Sequence, residues 1–274
     1  MKKLSIFIAI SFFFMLLSSL YILSNFPKKE EESVKAVSTS VILSPAPELT
    51  LTPSPTPIIF PKKSSYSIAI FGDSMVDTMG ENLEYLRDTL TNKYPQTAFN
   101  LYNYGIGGQN VELGLARFES PFTNRERQYP PLPVLNPDTL IIGSFAYNTF
   151  STHDRNKHYT LLKELISKAK ALSSEVYLMA EIAPLRTGFG KGKNGVNMPE
   201  NTAHEHALHI IEQLDNAVNL SVSEKIPLIN VYYESRIDGK FGDPYYVNPG
   251  DGIHPSVAGH SLTAEAIVLK IKLD

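Results

Sequence analysis

The chain contains no cysteine in its 274 residues. That excludes disulfides, thiolate metal sites, cysteine nucleophiles and a lipid carried on a thiol. It also has no block of Lys and Arg interleaved with aromatics, and its net charge is −3. Nucleic-acid binding needs a basic footprint, so no such partner is expected. No internal repeat is visible. His204, His206 and His209 lack the i, i+4 pair of a zinc-binding helix, so they read as surface histidines and no metal is expected.

A further absence marks the amino terminus. Residues 4–26 carry no charge at all. About 23 apolar residues suffice to cross a bilayer as a tilted helix. A secretory signal peptide has a shorter apolar core, about 7–15 residues, ending at a small-x-small site. No such site follows the run directly; Ala36-Val37-Ser38 lies beyond the charged residues 28–32. An uncleaved single-pass anchor over residues 1–26 is therefore expected. Lys2 and Lys3 are matched by Lys28 and Lys29, so charge alone does not orient it. Residues 27–64 are rich in Pro, Ser and Thr, as in Thr52-Pro53-Ser54-Pro55-Thr56-Pro57. Repeated proline blocks helix and sheet and favours an extended, disordered linker.

What remains, residues 65–274, has the composition of a packed domain: the chain is 43% apolar and 19% charged. Apolar runs at 66–70, 98–102, 139–142, 176–179 and 227–231 read as strands. Stretches at 81–94, 111–118, 159–172, 203–222 and 256–271 carry apolar residues at helical spacing. Strand and helix alternating five times predicts an α/β fold: a five-stranded parallel sheet with helices on both faces, a three-layer α/β/α sandwich.

Four short blocks can carry chemistry. Gly72-Asp73-Ser74 closes the first strand, where open α/β sheets place their ligands. A serine there serves as a nucleophile only with a base and oxyanion donors. Asn103-Tyr104-Gly105-Ile106-Gly107-Gly108 follows the second strand and opens a helix. Its glycines bring backbone N–H groups close to an anion, although G-x-G-G is not the G-x-G-x-x-G dinucleotide fingerprint. Gly143-Ser144-Phe145-Ala146-Tyr147-Asn148 follows the third strand; Asn148 is either an amide donor or a turn residue. Asp251-Gly252-Ile253-His254 puts a carboxylate three residues before an imidazole, a spacing that lets the carboxylate orient the ring.

These blocks, in this order, resemble the SGNH (GDSL) hydrolases, and Pro255-Ser256-Val257-Ala258-Gly259-His260 is similar to that family's last block. The resemblance spans the whole domain and implies the family's flavodoxin-like fold. It implies Ser74 as nucleophile, His254 as base and Asp251 as its orienting carboxylate. The oxyanion donors it implies are the N–H groups of Ser74 and Gly108 and the side chain of Asn148. No cofactor and no metal are implied. One departure stands out: the third block of the family usually reads Gly-x-Asn-Asp, whereas here Phe145 occupies the Asn position. Asn124 and Asn136 are therefore alternatives to Asn148.

The resulting expectation is a membrane-anchored, extracytoplasmic serine esterase acting on an O-acyl ester, most plausibly O-acetyl on carbohydrate. An acyltransferase using the same site is the nearer alternative, and a non-catalytic carbohydrate-binding module the more distant one. Arg186 to Asn197, with four glycines, is expected to be a mobile loop bordering the site. Tyr232, Tyr233, Tyr245 and Tyr246 can stack on a sugar ring or pack beneath a loop.

Overall fold

Strand β1 (Ser65–Gly72) is the centre from which the fold grows. From Ile68 onward every residue of it is buried, which a strand covered on both faces requires. The computed structural model describes residues 61–273. The sheet order is β2-β1-β5-β6-β7 and every pairing is parallel. Its strands are β2 (Ala98–Gly105), β5 (Thr139–Gly143), β6 (Glu175–Ala180) and β7 (Leu228–Asn230). Parallel strands need long crossovers, and the helices supply them. They are α2 (Glu84–Lys93), α3 (Val111–Arg117), α5 (Arg155–Lys170), α6 (Glu200–Ser223) and α8 (Val257–Lys270).

The five-stranded parallel α/β architecture expected from the alternation is present. Several boundaries differ for local reasons. Helix α2 starts three residues later than its apolar spacing suggests, because Leu83 takes the left-handed conformation at φ +52°. Strand β2 runs on to Gly105, in register with Gly72, so the Asn103-Tyr104-Gly105 part of the glycine block is strand. Strand β7 stops at Asn230, whose side chain caps the short helix α7 (Val231–Glu234). Ser256 is the cap of α8 and accepts from Gly259 N–H.

The sequence periodicity misses the small elements altogether. Short helices α1 (Ser74–Asp77) and α4 (Leu132–Leu135) and the antiparallel hairpin β3 (Phe122–Asn124) and β4 (Arg127–Tyr129) have fewer than five residues each. The hairpin is held by aromatic contacts of Tyr104 with Phe122 and Tyr129, ring centroids 4.9 and 5.0 Å apart. Among the described residues no helix is long and apolar enough to cross a membrane; the run at 4–26 lies outside them.

Candidate active site

The carboxyl ends of β1, β2 and β5 deliver three of the four sequence blocks to one place. Strand β1 stops at Gly72, where a β-carbon would lie 2.4 Å from Val76 Cγ2, so the chain turns there only without a side chain. Asp73 caps α1, its Oδ1 accepting from Met75 N–H at 2.9 Å. Its Oδ2 accepts from Asn148 Nδ2 at 3.0 Å. Asp73 is wholly buried, and burial raises its carboxyl above the usual range while these donors pull it back. Ser74 is the first residue of α1.

Three side chains hold that turn from behind. Asn103 donates from Nδ2 to the carbonyls of Val76, at 3.0 Å, and Gly80, at 2.7 Å. Arg127, itself buried, forms an ion pair with Asp77, and Asn124 Nδ2 donates to the same Asp77 oxygen at 3.1 Å. Behind the β1 end, Arg117 donates to the carbonyls of Gly72 and Tyr104 at 2.8 and 2.9 Å.

Past β2, the chain runs close over this turn. A β-carbon on Gly107 would lie 3.8 Å from Ser74 Cβ and 3.6 Å from Asp77 Oδ2. Gly108 has open space around it but a φ of +75°, a conformation that favours glycine. Its neighbour Asn110 then caps α3, accepting from Glu112 and Leu113 N–H at 3.1 Å each.

Beyond β5, the chain makes an unusual turn. Phe145 sits at φ +57° and is fully buried, edge-on to Phe71 at 5.5 Å. Phe145, which stands where the resemblance leads one to expect an Asn, is therefore core, and Asn148 comes back to meet Asp73. The two alternative asparagines point elsewhere. Asn124 spends its amide on Asp77 and on the Gly105 carbonyl at 3.0 Å. Asn136 caps α4 and accepts from Ser173 N–H at 3.2 Å.

The fourth block arrives on the loop before α8. Asp251 Oδ1 accepts from the N–H groups of Ile253 and His254, at 2.7 and 2.9 Å. Asp251 Oδ2 lies 3.1 Å from His254 Nδ1 and also accepts from Asn248 Nδ2 at 3.1 Å. This leaves Nε2 of His254 as the free ring nitrogen. The glycine-rich loop at 186–197 lies against this segment: Gly190 N–H donates to the Gly252 carbonyl at 3.0 Å, and Asn194 N–H to Gly250 at 2.8 Å. That loop does border the site, and it is tied down rather than loose.

A cleft of about 400 Å³ is lined by Ser74, Gly107, Gly108, Asn148 and His254 together. Tyr147, Phe189, Val196, Met198 and Ile253 give it apolar wall, and Asp77, Arg125 and His206 give it polar edge. Among the described residues no hydrogen bond joins Ser74 to His254; such contacts commonly tighten only once substrate is bound. Of the histidines 204, 206 and 209, only His206 lines the cleft; His209 stacks on His153 at 3.9 Å. None of the four tyrosines lines it. Tyr232 is core, and Tyr245 and Tyr246 edge a separate, wider groove.

Sequence reading missed the buried polar groups behind the cleft. Half-buried Arg117 and buried Arg127 each donate to two carbonyls, and Glu181, just past β6, is 3% exposed. A lone Arg or Glu beside an apolar run gives no sign that it is buried; only an acid placed directly at a strand's carboxyl end hints at it.

Sequence comparison assigns residues 68–267 to the GDSL-like lipase/acylhydrolase model. No curated protein sequence matches the chain. Solved structures with the same fold include a GDSL-like lipase from Bacteroides thetaiotaomicron, 18% identical with a TM-score of 0.54, the match covering 74% of this chain and 86% of that one. The lipase/acylhydrolase from Enterococcus faecalis is 19% identical with a TM-score of 0.52, covering 74% and 94%. A variant of an acetyl-xylooligosaccharide esterase from Geobacillus is 16% identical with a TM-score of 0.52, covering 78% and 97%. The family match spans well over half the chain, and the fold agrees with it. The chain belongs to the GDSL-like lipase/acylhydrolase family and is a carboxylic ester hydrolase.

Proposed function

We propose that the chain is an extracytoplasmic serine esterase that removes an O-acyl group, chiefly O-acetyl, from a carbohydrate. Ser74 Oγ attacks the ester carbonyl while Nε2 of His254 accepts its proton. The same imidazolium then returns that proton to the departing alcohol oxygen, leaving an acyl-Ser74 ester. Water, deprotonated by His254, hydrolyses the acyl-enzyme. Asp251 fixes the ring by accepting from Nδ1–H. The N–H groups of Ser74 and Gly108 and the second Nδ2 hydrogen of Asn148 receive the oxyanion. The observation that carries this reading is one cleft walled by Ser74, Gly108, Asn148 and His254, with His254 tethered 3.1 Å from Asp251.

The carbohydrate part draws support from the acetyl-xylooligosaccharide esterase and an acetyl xylan esterase that share the fold. The uncharged run at 4–26 would hold the enzyme on the outer face of the cytoplasmic membrane, with residues 27–64 as a stalk. At about 3.1 Å per residue that stalk would reach roughly 120 Å when extended. A fluorophosphonate probe tests the chemistry: it should label the full-length protein at Ser74 and no longer label Ser74→Ala. Nitrophenyl esters of graded acyl length and acetylated xylo-oligosaccharides then test the substrate, with acetyl esters turned over fastest. Label on another serine, or no turnover of any ester, overturns the proposal.

A further inference from the structure

The turn from Ser144 to Asn148 hangs between two buried carboxyl groups. At its far end Asn148 donates to Asp73 at 3.0 Å. At its near end Glu181 Oε1 accepts from Ser144 N–H at 2.9 Å, and the Ser144 hydroxyl donates to Glu181 Oε2. That hydroxyl oxygen in turn accepts from Ala146 N–H at 3.1 Å. The contacts clamp both sides of Phe145, whose φ of +57° no short apolar turn would hold unaided. Even Gly143 conforms to this arrangement, since a β-carbon there would lie 2.7 Å from Glu181 Oε1. On the other side of Ser144, the ring Nε2 of His158 lies 2.9 Å from its carbonyl.

We propose that Glu181 is a positioning residue: through Ser144 it fixes the left-handed turn at Phe145 and thereby sets where the amide of Asn148 points. The proposal rests on the reading of Asn148 as an oxyanion donor. Glu181 touches no substrate. Its work is to keep one amide hydrogen on Asp73 and the other facing the cleft. A carboxyl suits this task because it presents two oxygens to one residue's N–H and hydroxyl.

Charge makes the role readable in solution. Glu181 is faced by Asp73, by the Tyr147 hydroxyl and, across Ser144, by His158; Arg117 lies beyond Asp73. Burial and the Asp73 charge push the Glu181 carboxyl up to about 8. Burial holds His158 down at about 4, so it stays neutral. As a carboxylate Glu181 accepts from both the Ser144 N–H and its hydroxyl; as a neutral acid it still accepts the N–H at Oε1, while Oε2–H donates to the Ser144 oxygen, so the contact is kept with its direction reversed. Ionising it places a second buried negative charge near Asp73, which strains the turn.

The test is kinetics on nitrophenyl acetate with the full-length protein and the variants Glu181→Ala, Glu181→Gln, Ser144→Ala and Asn148→Ala. Misplacing one donor by about 1 Å is worth on the order of 100-fold in rate, so Glu181→Ala should lose about 10- to 100-fold in kcat with little change in KM. The double variant with Asn148→Ala should be no slower than Asn148→Ala alone. Wild type should lose kcat above about pH 8, and Glu181→Gln, isosteric with the neutral acid, should recover most of the rate and lack that fall. Should Glu181→Ala lack a cooperative unfolding transition, Ser144→Ala decides, with a several-fold loss of kcat expected. Asn148→Ala slow but Glu181→Ala, or Ser144→Ala in its place, at wild-type kcat overturns this proposal alone. Asn148→Ala at wild-type kcat overturns the oxyanion reading and the positioning role with it.

Discussion

The backbone N–H of Gly190 donates to the carbonyl of Gly252 at 3.0 Å, tying the glycine-rich loop to the segment that carries Asp251 and His254. The approach is close because neither residue has a side chain. A β-carbon on Gly252 would lie 2.4 Å from the Gly188 carbonyl oxygen, and its φ is +67°. Gly252→Ala should therefore strain the loop by about 1–3 kcal/mol. In a domain of this size that lowers the unfolding temperature by several degrees at about 2–4 °C per kcal/mol. The base moves with the loop, so kcat should fall at least tenfold, as shifts near 1 Å do. Calorimetry and ester kinetics on one preparation check both; an unchanged Tm and kcat would show that the loops tolerate the extra carbon.

Ser74 and His254 act on the same proton, so their contributions do not add. Ser74→Ala and His254→Ala should each remove nearly all turnover, and the double variant should be scarcely worse. Asp251→Ala should leave more activity than either, since the ring remains but is no longer oriented. A double variant whose loss approaches the product of the single losses contradicts the shared-proton scheme.

Among the asparagines near the cleft, chemistry and stability should separate. Losing an oxyanion donor lowers turnover about 100- to 1,000-fold, so Asn148→Ala should do so. Asn124→Ala removes hydrogen bonds to Asp77 and Gly105 and should lower stability by about 1–2 kcal/mol while leaving kcat near wild type. The reverse pattern, with Asn124→Ala the slow enzyme, would move the donor to Asn124.

Stability should also depend on pH through Glu181. The carboxyl titrates near 8 in the folded chain, against an ordinary value of 4.5. Below 4.5 both states are protonated and the contribution is complete. Between those values the unfolded chain gives up the proton and the folded chain keeps it, so stability falls as pH rises. Urea midpoints near pH 5 and pH 8 should therefore drop more in wild type than in Glu181→Gln. Equal drops would mean that Glu181 is already ionised in the folded protein.

The layered fold could be read because its signals are local. Thr139-Leu140-Ile141-Ile142 is apolar throughout, which only a strand covered on both sides tolerates, and Ser65–Gly72 ends at the glycine where it must turn. The blocks around Ser74, Gly108 and His254 were legible because each joins residue types whose chemistry is complementary. What stayed hidden depends on contacts far apart in sequence. Asn148 lies 75 residues from Asp73, and Arg127 lies 50 from Asp77. The hairpin of Phe122 and Tyr129 forms from three-residue strands, too short for any period to register, and is held by Tyr104 from another strand. Leu83 and Phe145 take left-handed backbone that neither residue favours alone; packing imposes it.

The parallel sheet also gives the molecule two poles. Every strand points its carboxyl end toward the Ser74 cleft, so every strand begins at the opposite pole. There Lys62 N–H donates to the Leu273 carbonyl at 3.0 Å, and the Tyr66 hydroxyl donates to the same oxygen at 2.5 Å. Both ends of the described chain therefore leave from the pole remote from the cleft, the full length of β1 away, roughly 26 Å at 3.3 Å per residue. A force applied at Lys62 therefore acts on the pole behind the reaction centre and not on the loops that carry Ser74 and His254.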